Sequence, residues 1–369
     1  MKIAFVGCGY VADYYVQTLP NHGSLELAGV WDSNTETLNR YAKYWSVRQY
    51  RNFRELLADP EPEIVVNLTN PDSHYEITAA CLSAGKHVYS EKPVSMELGQ
   101  AKELVELAKS QGLCLTSAPC TLLSETAQTV WRALRDNAVG KVRLVYAQLE
   151  DGMIIYDNFQ NWFNESGSPW PWKDEFETGC VVEHAGYYLT WLVACFGPVA
   201  AVDAIGSVLI PDKATGAPLA TNMPDYVLAN LHFDYGVVAR LTCSIVAPVD
   251  RSLTIFGEEG ELHVKDCWDN GANVYIRKPP IRGRYKKIRL VRKSRVKHRC
   301  QGPHNIDFSR GVAELAEAIR VGRDCHLPTD LSLHVNEISL AIRNPDEMSY
   351  PYKMTTSCAP VTPMSWACR

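Results

Sequence analysis

One short stretch near the start constrains the fold more than any other. Lys2–Val6 reads as an apolar strand, and Gly7-Cys8-Gly9-Tyr10-Val11-Ala12 follows it and opens a helical pattern, Tyr10–Leu19. This is G-x-G-x-x-A, the turn that binds a dinucleotide. The first glycine allows the tight turn, the second removes a side chain that would hold a pyrophosphate off the backbone, and Ala12 permits close helix–strand packing. The helix N-terminus then offers free N–H groups and the positive end of its dipole to the phosphates. Gly7, Gly9, Tyr10, Val11 and Ala12 are therefore candidate cofactor contacts. Asp32 ends the second apolar strand, Leu25–Trp31, at about the 20-residue distance where an acid accepts the ribose hydroxyls. A carboxylate repels a 2′-phosphate, and Ser33 and Asn34 after it are neutral, so NAD is favoured over NADP.

The rhythm continues with strands at Glu63–Thr69, His87–Ser90 and Leu113–Ser117, and with helical patterns at Phe53–Ala58, Ser73–Ala84 and Glu97–Ser110. Such alternation predicts a parallel sheet with helices on both faces over residues 1–120. After Pro119 the rhythm changes. Ser124–Asp136 looks helical, Val142–Glu150 is a strand ending in acids, and Cys180–Phe196 returns to helical spacing. Val199–Val208, Tyr226–Phe233, Val237–Ile245, Ser252–Phe256 and Glu261–Val264 are successive strands, and Asp234-Tyr235-Gly236 reads as a hairpin turn. Residues 121–369 are thus expected to form an α+β domain around an antiparallel sheet.

Composition excludes several classes. With 369 residues, 46% hydrophobic and 21% charged, the chain is of ordinary globular make-up for two domains. A net charge of −5 argues against nucleic acid as a partner of the whole molecule. The 12 cysteines are scattered without a C-x-x-C pair, as expected of reduced thiols in a cytoplasmic protein, and no Cys/His cluster suggests a metal. No secretory signal is visible. Leu189–Ile210 carries a single charge, Asp203, but Gly197-Pro198 interrupts it, which predicts a buried helix end and a strand in place of a membrane span. Arg277–Arg299 holds 12 Lys and Arg in 23 residues, either a groove for phosphate or polyanion or a pair of solvated edge strands.

The middle of the first domain carries Asn70-Pro71, His74 and then Glu91-Lys92-Pro93. With the turn above, these resemble the glucose–fructose oxidoreductase / inositol dehydrogenase / MocA family, whose signature is E-K-P. The resemblance covers nearly the whole chain. It implies a Rossmann domain followed by an open-faced, mostly antiparallel sheet domain, and oligomers paired through that sheet, a homodimer or homotetramer. It also implies hydride transfer between a nicotinamide and a hydroxyl or keto carbon of a sugar, cyclitol or nucleotide sugar. Asn70, Pro71, His74, Glu91 and Lys92 become cofactor candidates, and a cis Lys92–Pro93 bond is expected. Lys92, leaving the strand that ends at Ser90, can hydrogen-bond a reacting hydroxyl and hold its developing charge, with Glu91 holding the lysine.

The family's second motif, G-G-x-x-x-D-x-G-x-H, is matched by Thr178-Gly179-Cys180-Val181-Val182-Glu183-His184-Ala185-Gly186-Tyr187. Glu183 stands for the usual Asp, Ala185 for Gly and Tyr187 for His. Branches with Tyr at that place use it as the acid/base, so Tyr187 is either that group or a core aromatic. Glu183, four residues before it, is expected on the same helical face. His184 is either a proton relay or a satisfied core histidine. Just upstream, Trp162, Trp170 and Trp172 offer faces for a sugar ring, or form a hydrophobic plug or subunit contact. An alternative function is a regulatory protein of the same family that binds NAD and a sugar without turnover.

Overall fold

The computed structural model describes residues 1–216, 218–279, 283–294, 296–300, 302 and 304–368. Chain order begins β1 (Lys2–Val6), α1 (Tyr10–Thr18), β2 (Glu26–Trp31), α2 (Thr35–Trp45), α3 (Phe53–Ala58), β3 (Ile64–Asn67), α4 (His74–Ser83), β4 (His87–Ser90), α5 (Leu98–Ser110) and β5 (Leu115–Ser117). The five strands form one parallel sheet in the order β2-β1-β3-β4-β5. Its central strands carry apolar residues on both faces, as in a parallel sheet covered by helices on each side; Ile3, Phe5, Val65, Val66 and Val88 are buried. Within this run, helix α2 is the element missing from the sequence reading. Its signal is present in Asn34, whose side chain caps the N–H groups of Glu36 and Thr37.

The chain continues with α6 (Glu125–Arg135), β6 (Val142–Glu150), α7 (Trp172–Thr178), a single π turn (Val181–Ala185), α8 (Gly186–Phe196), β7 (Val199–Ser207), β8 (Tyr226–Phe233), β9 (Val238–Ser244), β10 (Leu253–Gly257), β11 (Gly260–Val264), β12 (Val274–Arg277), β13 (Lys286–Ile288), α9 (Ser309–Val321), α10 (Thr329–Arg343) and β14 (Tyr352–Lys353). The nine strands from β6 to β14 make a second sheet, ordered β13-β12-β11-β10-β6-β9-β8-β7-β14. It is antiparallel except for the β6–β9 pair, which runs parallel. Gly197 ends α8 at φ +85° and β7 begins two residues later, so the apolar run 189–210 is a helix and a strand. Among the described residues no helix is long and apolar enough to cross a membrane.

By contacts the chain forms two compact units. The first is 1–120 together with 159–174 and 296–336, and the second is 121–158, 175–295 and 337–369. Two stretches that the sequence reading placed after the boundary thus belong with the parallel sheet. Helix α9 explains one of them: Ser309 Oγ donates to Tyr15 O at 2.7 Å, and Phe308 packs on Tyr14 and Tyr15 of α1. Hydrogen bonds to the glycine turn, described below, explain the other.

The basic segment resolves into β12, β13 and the chain beyond, with Arg282 and Arg295 outside the described residues. Arg277 pairs with Glu261 at 2.7 Å, and Arg292 pairs with the fully buried Glu125 at 2.9 Å. Lys286 and Lys287 lie exposed on β13, an edge strand where lysine discourages strand addition.

Candidate active site

All five strands of the first sheet run the same way, so their C-terminal ends share one edge. The order β2-β1-β3 places a switch of direction at β1, the position where α/β sheets bind ligands. Each motif segment follows one of these ends: Gly7–Ala12 after β1, Asp32 after β2, Asn70-Pro71 after β3 and Glu91-Lys92-Pro93 after β4.

Gly7 has φ +96°, and a Cβ there would stand 2.6 Å from the backbone of Leu68, so only glycine lets the turn lie against the end of β3. A Cβ at Gly9 would meet nothing within 4 Å, so the space beside it is open to a ligand. Ala12 is fully buried, as close helix–strand packing requires. Asp32 closes the turn. Its Oδ2 accepts the Cys8 N–H at 2.8 Å and its Oδ1 the Asn34 N–H at 2.7 Å. Each carboxylate oxygen keeps a second lone pair for a ribose hydroxyl. These residues fit a dinucleotide: open backbone N–H groups at the start of α1 for the pyrophosphate and Asp32 for the ribose.

Glu91 is buried between two partners. Its Oε1 accepts the Tyr15 hydroxyl at 2.6 Å and its Oε2 the backbone N–H of Lys92 at 3.2 Å. The carboxylate therefore fixes the backbone from which Lys92 projects. The Lys92–Pro93 bond is cis. His74 is wholly inside. Its Nδ1 lies 2.6 Å from Pro93 O and its Nε2 2.8 Å from Thr69 O, and burial depresses its pKa. A neutral imidazole carries one N–H and so donates to one of these carbonyls; in either tautomer His74 sits between the loop after β3 and the E-K-P turn. Asn70 is engaged as well, its Nδ2 donating to Asp174 at 2.5 Å. Pro71 opens a short 3-10 turn ahead of α4.

The segment 159–174 is sewn to the glycine turn. Asn164 Nδ2 donates to the carbonyls of Gly9 (3.3 Å) and Tyr10 (3.1 Å). Ser168 Oγ donates to Cys8 O at 3.2 Å and receives Arg40 Nη2 at 2.9 Å. Asp13 accepts the Ser166 N–H and the Trp45 indole N–H, and its burial raises its pKa. The aromatic residues of this segment pack on one another. Phe159 is fully buried, Trp170 and Trp172 lie 6.0 and 5.9 Å from it, and Trp162 lies 5.0 Å from Trp170. All three tryptophans keep part of their surface open. Asn164, Ser168 and Arg40 are residues that sequence reasoning missed, because nothing in an Asn-Glu-Ser-Gly-Ser run says which backbone it will meet.

The second unit carries the other motif. Gly179, at φ +89°, sits where a Cβ would come within 2.8 Å of Met223, and the π turn Val181–Ala185 follows it. Glu183 lies within the π turn and accepts the Thr178 hydroxyl at 2.7 Å. His184 is buried with its Nε2 3.3 Å from Asp151. Tyr187 is half-buried, its ring 5.2 Å from Trp268, and the His184 ring is 5.7 Å from the same indole. Asp151, Arg251 and Trp268 were not foreseen. They come from three distant segments, and only the acidic end of strand Val142–Glu150 hinted at them.

Comparison with known proteins agrees with this architecture. The NAD-binding Rossmann model of the Gfo/Idh/MocA oxidoreductase family matches residues 1–118, and the family's C-terminal domain model matches residues 127–263. The chain belongs to this family. It is 32% identical over 213 residues to an uncharacterized oxidoreductase of Schizosaccharomyces pombe, covering 55% of this chain and 54% of that protein. It is 25% identical over 222 residues to trans-1,2-dihydrobenzene-1,2-diol dehydrogenase of Sus scrofa, covering 60% of each. The chain thus spans between half and two thirds of the length of these two relatives. Among solved structures, levoglucosan dehydrogenase in complex with NADH and levoglucosan shares the fold, with a TM-score of 0.78 at 16% identity over 95% of this chain and 98% of that one.

Proposed function

We propose that the protein is a cytoplasmic NAD-dependent dehydrogenase or ketoreductase that acts on a secondary hydroxyl of a sugar, cyclitol, nucleotide sugar or similar ring diol. The observation that carries this reading is the common edge of the first sheet, where the glycine turn, Asp32 and Lys92 follow the C-terminal ends of β1, β2 and β4 of one parallel sheet. Family membership supports it, as do the dihydrodiol and levoglucosan dehydrogenases among the similar proteins. NAD, when bound, supplies the hydride acceptor or donor. Gly7, Gly9 and the start of α1 hold its pyrophosphate, and Asp32 accepts its ribose hydroxyls and disfavours a 2′-phosphate.

Lys92 is assigned the role of hydrogen-bonding the reacting oxygen and holding its developing negative charge, and Tyr187 that of proton acceptor and donor. Trp162, Trp170 and Trp172 offer apolar faces to the C–H faces of a ring substrate. Self-association through the second sheet is part of the same reading. On β8 every second side chain is buried, while Tyr226, Leu228 and His232 on the other face keep part of their surface. Ile205 of β7 is 62% exposed. A sheet face with such residues is a ready surface for a second copy.

The test is a panel of polyols, aldoses, ring diols and nucleotide sugars read by NADH fluorescence. Turnover with at least one class is expected, with NAD preferred to NADP. Binding of NADH and of a sugar with no change of cofactor absorbance across the panel would instead establish the non-catalytic, regulatory function.

A further inference from the structure

Arg40, in the second turn of α2, is a cation beside the glycine turn that the function proposed above does not use. Side chains on a helix lean toward its N-terminus. The N-terminus of α2 follows β2, so Arg40 leans toward the edge of the first sheet where Asp32 and the glycine turn lie. A short hairpin of the same unit meets it there. Trp170 N–H donates to Trp162 O at 2.8 Å, and Phe163 pairs with Pro169. Asn164 closes the tip, its N–H donating to Ser168 O at 3.0 Å and its Oδ1 accepting the Ser168 N–H at 2.7 Å. Ser168 is 2% exposed. Its hydroxyl faces both ways, accepting Arg40 Nη2 and donating to the carbonyl of Cys8, the residue between the two glycines.

The charge of Arg40 has no counter-ion among the described residues. Its hydrogen bond goes to a neutral hydroxyl, its Nε is buried with no acceptor, and no carboxylate forms an ion pair with it. Two other arginines of this unit are neutralised: Arg310 lies 3.6 Å from Asp307 and Arg323 lies 2.6 Å from Glu314. The acids near the turn are already engaged. Asp13 accepts the Ser166 and Trp45 N–H groups, and Asp32 accepts those of Cys8 and Asn34. Holding an uncompensated cation partly out of water costs free energy, and an anion beside it offsets that cost. The charge also reaches the turn itself: burial raises the pKa of the Cys8 thiol, and Arg40 opposes that rise. Ser168 takes only part of the donor set of a planar guanidinium, so a fork remains that matches the oxygens of a phosphate.

We propose that Arg40 binds a phosphate group of the dinucleotide, aimed at it by Ser168. The inference rests on the cofactor half of the dehydrogenase reading and adds a charged side chain to a turn otherwise made of backbone. A dinucleotide offers two such groups. NAD and NADP share the pyrophosphate, and NADP alone carries a 2′-phosphate, so ligands that differ in these groups tell the two sources apart.

The test reads binding and needs no turnover. NADH and NADPH are titrated by fluorescence into the full-length wild type and Arg40→Gln, and ADP-ribose and adenosine by calorimetry. Loss of a charge-assisted hydrogen bond weakens binding by about 10- to 100-fold. That loss is expected in Arg40→Gln for phosphate-bearing ligands, with adenosine affinity unchanged. Arg40→Lys, which keeps the charge without the fork, should recover part of it, and raising the salt should narrow the gap between wild type and Arg40→Gln. NADH, NADPH and ADP-ribose weakened alike identify the pyrophosphate. A loss confined to NADPH identifies the 2′-phosphate. Adenosine weakened in step with NADH overturns the proposal, since the arginine then acts on the nucleoside or on the fold. If thermal melts show that Arg40→Gln does not fold, Ser168→Ala decides. It releases the guanidinium and keeps the charge, so phosphate-bearing ligands should weaken severalfold, and unchanged affinities overturn the proposal. A wild-type protein that binds none of the phosphate-bearing ligands overturns the cofactor reading itself, whereas normal wild-type binding with an indifferent Arg40→Gln overturns this inference alone.

Discussion

The glycine turn after β1 and the helix that carries Tyr187 are both motif sites, yet they are built in opposite ways. The turn is made of backbone. Its properties come from what Gly7 and Gly9 lack and from a local carboxylate, Asp32, that caps Cys8 and Asn34. The Tyr187 region is made of side chains brought from afar: Asp151 after β6, Arg251 before β10 and Trp268 after β11. The first kind of site is specified by a few consecutive residues. The second depends on tertiary packing, so substitutions within its motif, such as Tyr187 for the usual His, are compatible with the same fold.

The largest contrast is expected in turnover. Lys92→Met and Tyr187→Phe should each cut kcat by about 10²-fold or more while NADH binding stays near wild type, because removing a positioned acid/base or charge stabiliser costs that much. Steady-state kinetics beside a fluorescence titration checks this. If both variants lost NADH binding in proportion to activity, the division of labour between the two regions would be wrong.

Next is Gly7→Ala. Forcing a Cβ at φ +96° costs about 1–3 kcal/mol from the backbone alone. The 2.6 Å approach to Leu68 adds to that. Thermal unfolding should begin earlier, and NADH binding should fall below detection. A stable Gly7→Ala protein with normal binding would break the claim that the turn is a backbone site.

A smaller effect is expected where the segment 159–174 meets that turn. Asn164→Ala removes the two bonds to the Gly9 and Tyr10 carbonyls, each worth about 0.5–1.5 kcal/mol. NADH affinity should weaken severalfold with kcat nearly unchanged, as read by titration and saturation kinetics. A loss of kcat at full saturation would instead give this segment a part in the chemistry.

The smallest expected effect is in pH dependence. Burial by itself would raise the pKa of Glu337 on α10, but the hydroxyls and N–H groups of Thr355 and Thr356 outweigh it and the net shift is downward. A lowered folded-state pKa gives stability that is present above the usual glutamate value and fades as the pH falls through the folded one. Six residues on, Arg343 holds the carbonyls of Thr178 and Glu177, at the start of the Tyr187 motif. Acid should therefore loosen the second unit, and Glu337→Gln should flatten that part of the pH–stability curve in thermal melts. An unchanged slope would show that Glu337 does not contribute to the acid sensitivity.

How much of this the sequence makes legible follows the same division. Gly7–Ala12, Asp32 and the strand before Lys92 could be read directly, since each acts through local backbone geometry. The strands of the second sheet were readable from alternation and turn residues, but the parallel pairing of β6 with β9 was not, because pairing partners are set by the whole sheet. That His74 is buried between two backbone carbonyls was not readable, because burial is set by the tertiary fold. The π turn at Val181–Ala185 was hidden because an ordinary helical period fits the same residues. Asp151 and Arg251 are 100 residues apart, and nothing local joins them.

If backbone at the glycine turn holds the cofactor while Lys92 acts on the substrate, cofactor binding and turnover are separable. Titrate NADH into wild-type and Lys92→Met protein, then follow NADH formation by both with the best substrate of the polyol panel. Equal NADH affinity and a turnover about 10²-fold lower in the variant are expected. Equal turnover in the two proteins, or loss of NADH binding in step with activity, would contradict this separation.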